Sequence, residues 1–205
     1  MKYITDLAQL DPNGTYTYAD YRTWRFEQSV ELIKGKIFKM PPAPSEKHQR
    51  VSREMLRILL TNFKKASPCE LYHAPFDVRL LNQKKSSKAN KEVYTVVQPD
   101  ICVICDKSKL DKRGCIGAPD LIIEILSPGN AKKEMKTKYA LYEESGVKEY
   151  WIVFPSVRLL QQFILNEKDR YELKNSFAED EVFNAHIFPD LQIDLAEIFE
   201  GDEEV

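Results

Sequence analysis

The sequence predicts a mixed α/β fold, with a central mixed β-sheet flanked by helices and extra antiparallel strands toward its end. Three observations point there. Residues 95–104 and 119–127 are near-continuous apolar, β-branched runs, as in strands buried on both faces. Residues 45–63 and 130–145 each repeat apolar positions at helical spacing. Beyond residue 148 the helical period gives way to short strands separated by turns, an antiparallel ending to an α+β order.

The elements follow in chain order. Thr17 is an N-cap candidate for a short helix near 17–24. Residues 30–40 read as a β-hairpin turning at Lys34-Gly35-Lys36, and Pro41, Pro42 and Pro44 stop it. Ser45 caps the next helix, whose stripe is Val51, Met55, Leu59 and Phe63, with Pro68 ending it. Residues 69–81 are predicted as one long strand, with Tyr72, Ala74 and Phe76 alternating against His73, Pro75 and Asp77. A polar loop, the 95–104 strand, a loop at 107–117 and the 119–127 strand come next. The 130–145 helix ends at Gly146, a favourable residue just past a helix end. Strands are expected at 148–154, 159–165, 170–173 and 185–191, and Asp194 caps a last helix through Phe199.

No repeat or linker divides the chain, so one domain over 1–205 is expected. A chain of 205 residues buries roughly 70% of its unfolded surface, enough for a sizeable core. The net charge of −2 sets no global field that would draw in nucleic acid. Any such surface must be local. Two basic clusters qualify, Lys84, Lys85, Lys88 and Lys91, then Lys132, Lys133 and Lys136, although each also reads as a solvated face. No apolar signal region follows Met1 and no window is apolar enough to span a membrane, which predicts a cytoplasmic protein with its four cysteines as thiols.

The chemistry concentrates in two strands. Alternation places Asp120, Ile122, Glu124 and Leu126 on one face and Leu121, Ile123 and Ile125 on the other. In the earlier strand Gln98, Asp100, Cys102 and Ile104 share a face. Burying an ionised carboxylate is costly unless something positive meets it. Two such acids in neighbouring strands suggest a shared cation, and hard carboxylate oxygens favour Mg²⁺ or Mn²⁺. The alternative is that backbone donors or an arginine satisfy them. Ala131, Met135, Lys138 and Tyr142 lie at i, i+4, i+7 and i+11, so Lys138 points inward. An inward lysine needs a carboxylate or a substrate anion; the bland version is a buried ion pair or a snorkelling stem.

Competing motifs are weaker. Cys102-Val-Ile-Cys105 has zinc-like spacing, but on a strand the two face opposite ways. Ser127 lacks the glycines of a nucleophile elbow. His48 sits at a helix start, as a cap or as a phosphate or water contact, and His73 and His186 belong to no motif.

Gln98-Pro-Asp100, the run Gly117-Ala-Pro-Asp-Leu-Ile-Ile-Glu-Ile-Leu-Ser-Pro-Gly-Asn130, Lys138 with Tyr142, and Gly146-Val-Lys-Glu-Tyr-Trp-Ile-Val153 together resemble the Uma2 family, a domain of unknown function similar to PD-(D/E)XK restriction-endonuclease-like nucleases. The likeness runs from about Tyr18 to Phe199 and takes in Val30-Glu-Leu-Ile-Lys-Gly35 and His48-Gln-Arg50. It implies a restriction-endonuclease-like core with Asp100, Glu124 and Lys138 as catalytic residues. It also implies a metal shell of Asp100, Glu124, the Ile125 carbonyl and Glu31. The lysine usual two places after the glutamate is Leu126 here, and Lys138 of the following helix takes its role. Glu134 and Phe154 stand where the family has aspartates. The implied activity is Mg²⁺- or Mn²⁺-dependent hydrolysis of DNA by a homodimer, with His48, Gln98, Ser127, Lys84, Lys85 and Lys88 as candidate substrate contacts. The alternative is a nucleic-acid-binding or regulatory module that keeps the nuclease fold without turnover.

Overall fold

The computed structural model describes residues 3–40, 43–63, 68–81, 92–127 and 131–201, with side chains in the last segment from residue 135. Thr17 caps α1 (Tyr18–Tyr21) in a full capping box with Asp20. A hairpin follows, β1 (Val30–Ile33) and β2 (Lys36–Lys39), its turn made by Lys34 and Gly35 at φ 52° and 80°. Positive φ at both central residues is what a two-residue hairpin turn requires. Ser45 accepts from the His48 N–H and caps α2 (Glu46–Asn62).

The segment expected as one strand at 69–81 is two strands, β3 (Glu70–His73) and β4 (Val78–Arg79), in different sheets. Pro75 has no N–H for a ladder, and the chain changes sheet across it. The same happens at 95–104. There β5 (Val96–Val97) and β6 (Ile101–Ile104) also lie in different sheets, joined through Gln98-Pro99-Asp100. The loop expected at 107–117 holds a small hairpin, β7 (Leu110–Asp111) and β8 (Gly114–Ile116).

Next come β9 (Leu121–Ile125), α3 (Ala131–Ser145) and β10 (Glu149–Phe154), a parallel strand pair crossed by a helix. Gly146 follows α3 at φ 84°. Then β11 (Leu159–Leu165) and β12 (Tyr171–Ala178) extend the sheet antiparallel. The expected strand at 185–191 is a correction: those residues connect β13 (Val182–Asn184) to β14 (Gln192–Asp194). Asp194 caps α4 (Leu195–Phe199).

The larger sheet has the order β12-β11-β10-β9-β6-β3, and the second β2-β1-β5-β4-β8-β7. One face of the larger sheet, with Ile101, Leu121, Ile123, Ile125 and Trp151, packs on Val51, Met55 and Leu59 of α2 and on Ile198 of α4. The other, with Cys102, Ile104, Ile122 and Ile152, packs on Leu141 and Tyr142 of α3 and on Val78 and Val97 of the second sheet. The alternation read from the sequence thus separates two cores.

Cys69 and Cys105, at the open end of the β3–β6 ladder, form a disulfide; only Cys102 and Cys115 are thiols, both buried. This corrects the expectation of four thiols. The antiparallel register pairs Glu70 with Ile104, so the next residues outward are directly opposed, a contact the linear sequence does not express. Among the described residues no helix is long and apolar enough to cross a membrane.

Candidate active site

Asp100 and Glu124 meet because β6 and β9 run antiparallel. Ile101 pairs with Ile123, so Asp100, one step outward, lies opposite Glu124 on the same face. The Asp100 Oδ2 accepts the backbone N–H of Ile125 at 2.7 Å. Its Oδ1 lies 3.4 Å from His48 Nε2, and the other ring nitrogen, Nδ1, is buried without a hydrogen-bond partner.

Glu124 is 4% exposed. Its Oε1 accepts from Lys138 Nζ at 2.9 Å and from the Tyr142 hydroxyl at 2.6 Å. Both donors come from the inward stripe of α3, which crosses back over the face that carries Glu124. Lys138 also lies 3.4 Å from Glu31 Oε1, and Glu31 accepts the Gln98 N–H at 2.9 Å. Burial pushes the Glu124 carboxyl up to about 8; Lys138 pulls it down, while Asp100 and Glu31 push it further up. Burial, and then the neighbouring Glu124, hold the Tyr142 hydroxyl well above its usual range, so it stays a donor.

These groups open onto a cavity of about 740 Å³ lined by His48, Gln98, Asp100, Glu124, Ser127 and Lys138. Helix α2 closes the opposite side with Gln49, Ser52, Arg53 and Arg57. That row was legible as a polar helix face but carries no motif. Arg53 and Arg57, 70% and 53% exposed in their side chains, pair with Glu54, and Arg57 also with Glu197, so exposed guanidinium groups stand at the rim with their charge balanced. His73, which belongs to no motif, also lines this cavity.

The buried acids differ in how far their oxygens are satisfied. Glu149 is fully buried and receives Trp151 Nε1, Gln162 Nε2 and the N–H groups of His186 and Ile187, so both its oxygens are satisfied. Asp120 is likewise met by Lys148 and the Cys105 N–H. Among the described residues no donor is recorded on Glu124 Oε2, and Asp100 Oδ1 has only the long His48 approach. Two hard oxygens side by side on a cavity, with the Ile125 backbone adjoining, suit a hard divalent ion. Glu31 resembles Glu124: its Oε1 is taken by Gln98 and Lys138 while no donor among the described residues is recorded on its Oε2, although no three His, Cys, Asp or Glu side chains of those residues converge into a metal cluster.

Of the other expected residues, Gln98 donates to Asp77 at 2.9 Å, with Tyr21 at 3.5 Å, and Ser127 lines the cavity without a recorded bond. Lys84, Lys85, Lys88 and Lys91 lie outside the described residues, as do the side chains of Lys132 and Lys133. Tyr142 is the residue the structure promotes. The sequence placed it on the inward stripe, and its bond to Glu124 needs the fold to be seen.

The chain is 25% identical over 186 residues to "Uncharacterized protein slr1290" of Synechocystis sp., covering 82% of this chain and 92% of that protein. A crystal structure of a "putative nuclease belonging to DUF820" from Anabaena variabilis superposes with a TM-score of 0.69 at 19% identity, over 90% of this chain and 97% of that one. That likeness shows a shared fold. The model of the Uma2 family, described as "Putative restriction endonuclease", matches residues 18–196, nearly the whole chain, and so this protein belongs to the Uma2 family.

Proposed function

We propose that this protein is a metal-dependent endonuclease that hydrolyses DNA phosphodiester bonds with Mg²⁺ or Mn²⁺. The observation that carries this is the pairing of Asp100 with Glu124 at one cavity, each with an oxygen short of donors, beside a lysine held between two carboxylates. In this reading Asp100, Glu124, the Ile125 carbonyl and Glu31 would hold the ion, with Lys138 set between the two glutamates. A bound Mg²⁺ lowers the pKa of a coordinated water and neutralises charge on the phosphate. Lys138, fixed at 2.9 Å from Glu124 and 3.4 Å from Glu31, keeps its ammonium aimed where negative charge develops in the transition state. Tyr142 fixes the Glu124 orientation through Oε1, so that Oε2 would be left to meet a cation. His48, beside Asp100, can hold or pass a proton at Nε2. Arg53 and Arg57 meet flanking phosphates, and the lysines at 84, 85 and 88 extend that contact.

The proposal includes one domain over the whole chain and a homodimer, because two active sites related by a two-fold match the opposed strands of a duplex. It also includes a cytoplasmic protein, in which Cys69 and Cys105 would be reduced in the cell and bonded after oxidation. The test is nicking of supercoiled plasmid with Mg²⁺, Mn²⁺ or EDTA. Wild-type protein should nick only with a divalent ion, and Asp100→Ala should not nick. The Lys138–Glu124 pair at 2.9 Å favours a second reading, a DNA-binding module without turnover, since it neutralises Glu124 with no ion. DNA retention without nicking under every ion would select that reading.

A further inference from the structure

A second cavity, of about 450 Å³, adjoins the first: Ser29 and Gln98 line both. Its other walls are aromatic and charged, with Tyr3, Tyr21, Trp24, Phe26, Arg22 and Asp77. Trp24 is 5% exposed, with the Tyr21 and Phe26 rings each 5.5 Å away, and its indole N–H has no hydrogen-bond partner. That nitrogen is sealed from solvent in the core cluster of Leu10, Tyr18 and Val30, so the indole is a fixed backing for the cavity and the partly buried Tyr21 and Phe26 are the rings a ligand can meet. Asp77 supplies an acceptor, with Oδ1 receiving Gln98 Nε2 at 2.9 Å. Tyr3 is 52% exposed, and the Arg25 guanidinium lies 4.5 Å from its ring centroid. Arg22 and Arg25 give the mouth positive charge.

We propose that this cavity binds one unpaired nucleotide of the substrate, next to the cavity that carries Asp100 and Glu124. The assignment rests on the nuclease reading for its substrate and on this geometry for its site. A volume of this size lies within the range of small-molecule sites. A nucleobase offers a flat face to Tyr21 and Phe26 and a hydrogen-bonding edge whose donors match Asp77. Its phosphate matches the arginines. Base pairing hides the edge and stacking hides the face, so a nucleotide enters only from a single strand or when turned out of a duplex. Gln98, bonded to Asp77 by its side chain and to Glu31 by its backbone N–H, links this cavity to the Lys138 site.

The test is anisotropy of labelled oligonucleotides in EDTA, so that binding is read without cleavage. The ligands are a single strand, a duplex with one unpaired base, a fully paired duplex and free deoxynucleoside monophosphates as competitors. The variants are Arg22→Ser/Phe26→Ala, which removes a ring and a charge, and Asp77→Asn, which keeps the side chain's shape and removes its carboxylate; melting curves establish that each is folded. Loss of about tenfold in affinity for the first two ligands, with less than about twofold for the paired duplex, is expected from losing a stacked base in the first variant and a charged hydrogen bond in the second. Unchanged affinity in both variants, or equal loss for paired and unpaired ligands, overturns the proposal. Competition by free monophosphates as strong as by the strand overturns its placement on the substrate strand and assigns the cavity to a free nucleotide. Asp100→Ala separates the two readings: it should abolish nicking and keep the full preference for unpaired ligands.

Discussion

Glu124 carries the sharpest test of the site. Its carboxyl is buried among Asp100 and Glu31 with one lysine, and burial pushes it up to about 8 from an ordinary 4.5. Between those values the unfolded chain has lost this proton while the native protein keeps it. The native state therefore binds more protons, and stability falls as pH rises through the window. Each pH unit costs about 1.4 kcal/mol, so from about pH 5 to 8 the metal-free protein should lose roughly 4 kcal/mol through this group. For a chain of 205 residues that is a fall of about 10 °C in melting temperature. Glu124→Gln keeps an oxygen for Tyr142 and Lys138 and removes the titration. The assay is scanning fluorimetry in EDTA across that pH range for both proteins, then with Mg²⁺ at pH 8. The variant should melt with a flatter profile and above the wild type at pH 8. Mg²⁺ should raise the wild type there and leave the variant unmoved. Parallel profiles would refute the argument, because Glu124 would then be ionised in the native protein throughout.

Other expectations follow from the same contacts. Asp100→Ala should lower the nicking rate at least ~10²-fold, as losing one transition-state stabiliser does, with the melting temperature little changed. Lys138→Ala should reduce kcat and leave DNA affinity nearly intact, because its ammonium acts on charge that develops late; single-turnover kinetics separate the two. Glu149→Ala should destabilise the fold, since it strands four donors at once; a loss of about 3 kcal/mol or more is expected in urea unfolding. The Cys69–Cys105 bond closes a loop over 36 residues, so reduction should cost about 4 kcal/mol in the chain-entropy picture. Denatured, unreduced protein should then show two reactive thiols rather than four.

The sequence by itself determined the parts that depend on local period and chain stereochemistry. The capped helices at Thr17, Ser45 and Asp194, the hairpin at Lys34-Gly35 and the helix end at Gly146 are all encoded within a few residues. So is the two-faced character of β9, because alternation separates Ile122 and Glu124 from Ile123 and Ile125 whatever lies around them. The inward Lys138 stripe is equally local, and it brought the lysine within reach of Glu124. What the tertiary structure decided is pairing. Prolines 75 and 99 interrupt strands, but only the assembled sheets show that each break sends the chain from one sheet to the other. Residues 185–191 have a strand's composition, yet they connect β13 to β14. The Cys69–Cys105 contact and the second cavity at Trp24 depend on which strands lie side by side. So does the difference between Glu149 and Glu124, two buried acids in parallel neighbouring strands. One is filled by four donors and the other keeps an oxygen open, because hydrogen-bond satisfaction is set by neighbours that the linear chain does not name.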